Sequence, residues 1–460
     1  MKKVLCLICA LALLLSVLAA CNWFEVPGIR LDKPTVEGES VFEYDGAEKT
    51  LALSGFDPET MTVTGNKKTQ PGSYICRVQI KEPEEYVWEG GGSVSFEWSI
   101  VKGTLETDDA SEFAAAAAGG NYDIILTGNI VLTENVTIPQ GVTVYAKGFT
   151  ISGTGILTNN GTIVAEADTG ARILAAIEFA NEIKLVDDIN ESGQLVFNSA
   201  AKAYDFKLDL NGYSIRPLRF RNYTSTGDNG KDLNVVILDS SGNKGVIGKT
   251  IEDTTNPYAG IEVLSNANSK LNVTLSGVTP TGFWYGLATN GTQGVLIETG
   301  TEFRANITAV DCDFVGECLA MYLPAGFNYN FENCTFTARS AVHMKSGNVT
   351  FDNCVFEAAG VWVGRDTNYD TYGYEPPLYY NNGVNTTGNA LMLECSPGYK
   401  QFLDVTIIGG TFYSAYGYAV EVAGTSSGGG THTIYATLDI SGNPEYDCPE
   451  NIGSELFPAN

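Results

Sequence analysis

Positive charge is what this 460-residue chain has least of: 27 Lys and Arg stand against 54 Asp and Glu, with only two histidines, for a formal charge of −27. A field of that sign repels phosphate backbones, which excludes nucleic acid as a partner, while it attracts divalent cations and basic proteins. A hydrophobic run long enough to span a bilayer is also missing; the apolar stretch at residues 4–17 is short and follows Lys2 and Lys3. Beyond the first 21 residues no cysteine pair has the CxxC spacing of a zinc or redox site. Apart from Cys6, Cys9 and Cys21, the cysteines are Cys76, Cys312, Cys318, Cys334, Cys354, Cys395 and Cys448, an odd set that does not describe a disulfide framework. What the chain does have is glycine, 51 residues of it, with charged residues held to 18%, and that balance fits a β-rich extracellular protein.

The basic start, short apolar core and small residues of Leu18-Ala19-Ala20-Cys21 describe a secretory signal that is removed. This ending resembles the bacterial lipobox. The resemblance implies that Cys21 receives a diacylglyceryl group, that cleavage leaves it as the N-terminus, and that many bacteria add a further acyl chain. At about 0.8 kcal/mol per buried methylene, two or three such chains hold a protein on a membrane without a spanning segment. Residues 1–20 are therefore expected to be the signal and 21–30 a tether, with the protein lipid-anchored in the bacterial cell envelope and exposed at the surface. Losing residues 1–20 removes two lysines and no acid, leaving 25 basic against 54 acidic residues and a charge of −29.

Residues 31–102 alternate apolar and polar side chains in short runs broken by Gly, Pro and Asn, the pattern of a small antiparallel sandwich. Phe42-Glu43-Tyr44-Asp45-Gly46, Leu53-Ser54-Gly55-Phe56, Gly72-Ser73-Tyr74 and Phe96-Glu97-Trp98-Ser99-Ile100 together resemble the bacterial immunoglobulin-like modules with a Tyr-Asp-Gly motif. In that family such modules are spacers in surface proteins. Trp88 and Trp98 are expected in the core, because a module this small needs large side chains to fill it.

From residue 103 the pattern changes. Asp108, Asp109 and Ser111 lead into the alanine run 114–118, predicting a short capping helix near 109–118. Strands then recur every six to eight residues, as in Ile130-Val131-Leu132, Val136-Thr137-Ile138 and Val142-Thr143-Val144, and residues 207–215 restate 143–151. The clearest repeat is Asp311-Cys312-Asp313-Phe314, Asn333-Cys334-Thr335-Phe336 and Asn353-Cys354-Val355-Phe356, echoed by Gly409-Gly410-Thr411-Phe412. Cysteine spacings of 22 and 20 residues equal one coil of a β-solenoid. Rungs about 4.8 Å apart put Cys on Cys and Phe on Phe, too far for the roughly 3.8 Å Cβ separation of a disulfide, so the stacked thiols are expected to be reduced and buried. The segment 103–445, followed by a tail at 446–460, resembles the right-handed parallel β-helix of the pectate-lyase-like superfamily. That superfamily includes lyases, hydrolases, esterases, adhesins and phage spikes, so the resemblance implies architecture and leaves activity open. The expected class is all-β: a small Ig-like β-sandwich, then a right-handed parallel β-helix with a short N-terminal capping helix.

Catalytic motifs of that superfamily are missing. Asp187-Asp188 is the one Asp-Asp pair beyond the capping helix, and adjacent strand residues face opposite ways, which suits a strand end better than paired acids. Neither His343 nor His432 has a Gly-His-Gly context, and His343 reads as a strand residue. Arg216, Arg219 and Arg221 form the densest basic cluster and could bind an anionic sugar or pair with the abundant acids. No motif holds a cofactor; calcium is compatible with the charge, but no acidic set marks its site. The long insertion at 364–389 is the most promising surface feature. Tyr369, Tyr372, Tyr374, Tyr379 and Tyr380, with Arg365, Asp366 and Asp370, could stack on sugar rings and bond hydroxyls, or pin the loop to the solenoid flank. The expected function is a non-catalytic, adhesin-like β-helix on the cell surface whose partner is a polysaccharide or another surface protein. A polysaccharide lyase or glycoside hydrolase and a purely structural envelope protein are the alternatives.

Overall fold

The computed structural model describes residues 28–223, 230–248, 259–265, 269–289, 305–359, 388–395, 403–415, 417–424 and 436–454. Among them the chain forms two compact units, one built mainly from residues up to Glu106 and one from Ile125 onward. Cys21, His432 and the tyrosine-rich insertion lie outside the described residues.

The first unit is a small β structure. Its main sheet places Val41–Glu43, Val94–Val101, Gly72–Ile80 and Met61–Thr64 side by side, antiparallel except where Val41–Glu43 runs parallel to Val94–Val101. Alternation decides which side chains go inside: Cys76 and Val78 are buried while Arg77 between them is exposed. Both tryptophans are core residues. Trp98 packs with Leu51, Cys76 and Ile100 and donates its indole N–H to the Gly65 carbonyl at 2.9 Å; Trp88 packs with Met61, Val78 and Val94.

A short helix, Ala110–Gly119, has its first turn capped by Asp109, whose Oδ1 accepts the N–H groups of Ser111 at 2.9 Å and Glu112 at 2.8 Å. The second unit is a right-handed parallel β-helix. Early coils are tight: Ile130–Leu132 pairs with Ile151–Gly153 and Val136–Ile138 with Leu157–Asn159, 21 residues on. Asn129 and Asn135 bind the next coil, accepting the N–H groups of Thr150 and Ile156. A second helix, Gly170–Ala176, capped by Thr169, was not foreseen from the sequence.

Further on each coil has three strands, forming three parallel sheets. The long sheet continues from Thr143–Lys147 to Ala436–Ser441, a seven-stranded sheet runs from Val246–Gly248 to Glu445–Asp447, and a nine-stranded sheet from Leu195–Asn198 to Glu450–Ser454. The corner from the long to the seven-stranded sheet is a two-residue turn in successive coils. Asp311, Asn333 and Asn353 occupy it at φ 55°, 52° and 50°, a left-handed conformation that Asn and Asp tolerate best among residues with a Cβ. Lys147 and Asn211, both at φ 51°, hold the same place in the repeat read at 143–151 and 207–215. In the last echo of the motif Gly410 replaces cysteine, and a Cβ there would lie 2.3 Å from the Cys354 carbonyl oxygen.

Like side chains stack throughout. Phe314, Phe336, Phe356, Phe412 and Tyr446 form one column, with ring centroids 5.4, 5.0, 4.4 and 5.6 Å apart. Cys312, Cys334 and Cys354 are buried free thiols at equivalent turns, since Thr335, Val355 and Thr411 donate in succession to their carbonyls. The hydrogen bond with Cys334, then burial, pushes Cys312 up; Cys334 is pulled down by its bond to Cys312 but pushed up more by Cys354 and burial, to about 12. Both stay protonated and unreactive at neutral pH. On the outward side of the long sheet, Asn234, Asn272, Asn306, Asn328 and Asn348 are in register, with side-chain amide bonds of 2.7, 2.8 and 3.0 Å joining 272 to 234, 306 to 272 and 348 to 328.

Candidate functional site

Strands of a solenoid ordinarily bury one face. In the nine-stranded sheet, Leu319–Leu323, Ser340–Met344 and Leu391–Glu394 are buried on both. One set of alternate positions, Leu287, Met321, Val342, Leu391 and Val420, fills the solenoid core. The other set points away from it and forms a row in register: Arg219, Glu262, Ala288, Tyr322, His343, Met392, Glu421. Two residues further along their strands lie Lys345 and Glu394.

These side chains converge. His343 Nε2 is 2.8 Å from Glu394 Oε2, and Lys345 Nζ is 3.0 Å from the same oxygen. Tyr322 meets the His343 ring edge to face at 5.5 Å, stacks on Tyr285 at 5.3 Å, and has the Lys345 ammonium 5.8 Å from its centroid. Asn389 donates to Glu421 at one end of the row, while at the other Glu262 accepts from Arg219 Nε at 2.6 Å and Gln194 at 2.9 Å. His343 and Lys345 are 3% exposed and Glu394 4%, whereas Trp284, Arg219, Glu262 and Glu421 are only partly buried.

Burial of charge dictates the electrostatics. For Glu394 burial pulls upward, but the hydrogen bond from His343 and the Lys345 ammonium outweigh it and hold the carboxyl at about 2. His343 moves the other way: burial lowers it despite Glu394, so it is a neutral imidazole at pH 7 that donates Nε2–H to the carboxylate. The centre is thus a neutral histidine and a lysine–glutamate ion pair on a face that, in a plain solenoid, would lie in water. Taking an ion pair out of water costs several kcal/mol per ion before the pairing repays it, so folding alone gives no reason to bury one here.

Topology singles out the same sheet. The connections joining Gly248 to Ile261, Ala288 to Ala305, Ala358 to Leu391, Cys395 to Leu403 and Gly424 to Ala436 all begin or end on it, while from Ser276 to Thr411 the opposite corner keeps two-residue turns. Insertions in a solenoid collect on one face, often the one that binds.

The residues singled out in the sequence fare unevenly. Arg216 is ion-paired to Glu191 at 3.1 Å and donates to the Ser192 carbonyl; Arg219 is paired to Glu262; Arg221, half-buried on the same strand, is in register with Asn198 and Leu264. Two of the three thus spend their charge on acids of neighbouring coils. Asp187 and Asp188 cap turns: Asp187 accepts the Asp188 N–H and Asp188 that of Ser214. Beside the row, and not singled out above, Phe283 and Tyr285 are buried and Trp284 partly so. Tyr369, Tyr372, Tyr374, Tyr379, Tyr380, Arg365, Asp366 and Asp370 lie outside the described residues. His343 was passed over as a strand residue, and Tyr322, Lys345 and Glu394 were not singled out. Their signal is faint, a lone ionisable side chain in otherwise apolar strands. Among the described residues no group of three or more His, Cys, Asp or Glu could hold a metal ion.

No protein-family model matches the chain, and no curated protein does. Among solved structures the chain is similar to tailspike protein 3 of bacteriophage CBA120, at 12% identity and a TM-score of 0.30, over 80% of this chain and 62% of that one. The chain therefore spans less than two thirds of the tailspike chain.

Proposed function

We propose that the chain is a bacterial envelope lipoprotein, held to a membrane by acyl groups on Cys21, whose Ig-like spacer carries a β-helix that binds polysaccharide on its nine-stranded sheet. The observation that carries this reading is the outward row from Arg219 to Glu421, aromatic and charged, on the sheet where the long connections begin and end. Trp284, Arg219, Glu262 and Glu421 are the groups a sugar chain meets: an aromatic face for a ring, a guanidinium and carboxylates for hydroxyls. Beneath them the buried Tyr322, His343, Lys345 and Glu394 keep the row rigid, so binding orders little. In the sequence, the insertion bearing Tyr369 to Tyr380 lies between Ala358 and Leu391 of this sheet.

The test is retention of residues 22–460 on a panel of neutral and acidic polysaccharides, with and without calcium. Trp284→Ala and Glu262→Gln are expected to weaken at least one retained glycan about tenfold, some 1.4 kcal/mol, with the melting temperature unchanged. No retention on any glycan, or retention of every glycan by both variants as by wild type, overturns the reading. Anchoring is tested separately by acyl labelling and by release of Cys21→Ala from the membrane fraction. A second reading, polysaccharide cleavage, is favoured by the His343–Glu394 pair, in which the carboxylate fixes the imidazole tautomer. Release of new reducing ends or unsaturated sugars in the same panel establishes it.

A further inference from the structure

A different face carries an independent inference. Along the outward side of the long sheet, the asparagine row from Asn234 to Asn348 and the row beside it from Val236 to Thr350 contain no charged residue over five coils, in a chain of net charge −27. All ten side chains are at least partly exposed. Acids flank the strip, with Glu332 and Asp352 beside it and Asp404 on the next coil.

Asparagine is disfavoured in strands, where threonine or valine suits the pleat better, so five in register require a reason beyond sheet formation. Each amide has two N–H donors and an oxygen with two lone pairs. Asn272 donates once to Asn234 and accepts once from Asn306, which leaves it one N–H and one lone pair. Two bonded runs, one of Asn234, Asn272 and Asn306 and one of Asn328 and Asn348, therefore fix a comb of paired donors and acceptors with rungs about every 4.8 Å along the solenoid and a second row about 6.6 Å away on the same strands. Its members are already immobilised, so the ordering cost of binding has been met during folding.

We infer that this strip is a second binding surface, specific for an uncharged, polyhydroxylated chain such as a neutral polysaccharide. Alternating hydroxyls match spare N–H groups and lone pairs. The acidic flanks repel a polyanion. An apolar partner finds only Val236 and the threonine methyls.

The experiment uses residues 22–460 with xylan as the neutral probe and polygalacturonate as the acidic one, in affinity electrophoresis. The triple variant Asn272→Thr, Asn306→Thr, Asn328→Thr keeps strand propensity and removes the amides. Wild type retarded by xylan and not by polygalacturonate, the triple variant at least about tenfold weaker with an unchanged melting temperature, and Trp284→Ala retarded as wild type, is the expected result. Equal retardation of the triple variant and wild type, or no retardation of wild type by xylan, overturns it. Loss of xylan binding in Trp284→Ala also overturns it, because the binding then belongs to the nine-stranded sheet; that sheet's own role stands or falls by the full panel instead.

Discussion

Two outward faces of one solenoid, built on the same parallel backbone and the same apolar core, have opposite chemistry. Over five coils the long sheet shows water an uncharged strip of amides and hydroxyls, partly exposed and in part bonded to itself. The nine-stranded sheet has buried its ions, with His343, Lys345 and Glu394 nearly inaccessible. A solenoid's inward rows are dictated by packing, but its outward rows are free to vary, and that freedom is where function is written. The contrast also teaches where mutation should hurt: polar groups in water are cheap to change, buried and paired ones are not.

The largest expected effect is on the buried side. Glu394→Ala strands Lys345 and His343 without their acceptor and should cost about 3–5 kcal/mol in urea unfolding, whereas Glu332→Ala on the exposed side of the long sheet should stay within about 0.5 kcal/mol. Equal costs would erase the distinction between the faces. Acid titration sharpens it next. Because His343 is held neutral in the fold while the unfolded chain protonates near 6.5, its contribution is complete above about 6.5 and falls away as the pH drops. Glu394, ionised down to about 2 in the fold and to about 4.3 unfolded, contributes fully above about 4.3, and that stability is lost as the pH falls to about 2. His343→Gln should flatten the first limb of the stability curve and Glu394→Gln the second; unaltered limbs would mean that neither group is buried as described. At the corner between sheets, Asn353→Ala should cost about 1–2 kcal/mol through its left-handed backbone and the lost bond to Asn333, and Asn353→Gly clearly less. Smallest of all, Asn306→Thr should move the melting temperature hardly at all, since a β-branched residue replaces one ladder bond.

Much of the fold was legible because a solenoid writes its period into the chain. The spacing of Cys312, Cys334 and Cys354, and the phenylalanine two residues after each, predicted the column found, and the reduced, buried thiols follow from rung spacing alone. The capping helix was read from its Asp and Ser, and both tryptophans of the small unit from its size. The helix Gly170–Ala176 was not, because it replaces a rung and is too short for a helical period to emerge. The candidate site was least legible. His343 and Glu394 are 51 residues apart, and the insertion between them hides that Met392 is the rung above His343 and that Glu394 is two residues along. Aromatic density instead drew the sequence reading to Tyr369 through Tyr380. For Arg216 and Arg219 the abundance of acid mattered more than their clustering, since each found a glutamate on a neighbouring coil.

The central claim, that the outward row of the nine-stranded sheet holds a sugar chain, is tested most directly by calorimetric titration of residues 22–460 and the Trp284→Ala variant with a polysaccharide that the panel retains equally on the wild-type chain and on the triple asparagine variant. The account predicts saturable binding by the wild-type chain and about tenfold weaker binding by the variant at equal thermal stability. Identical isotherms, or no heat of binding with any member of the panel, would contradict it.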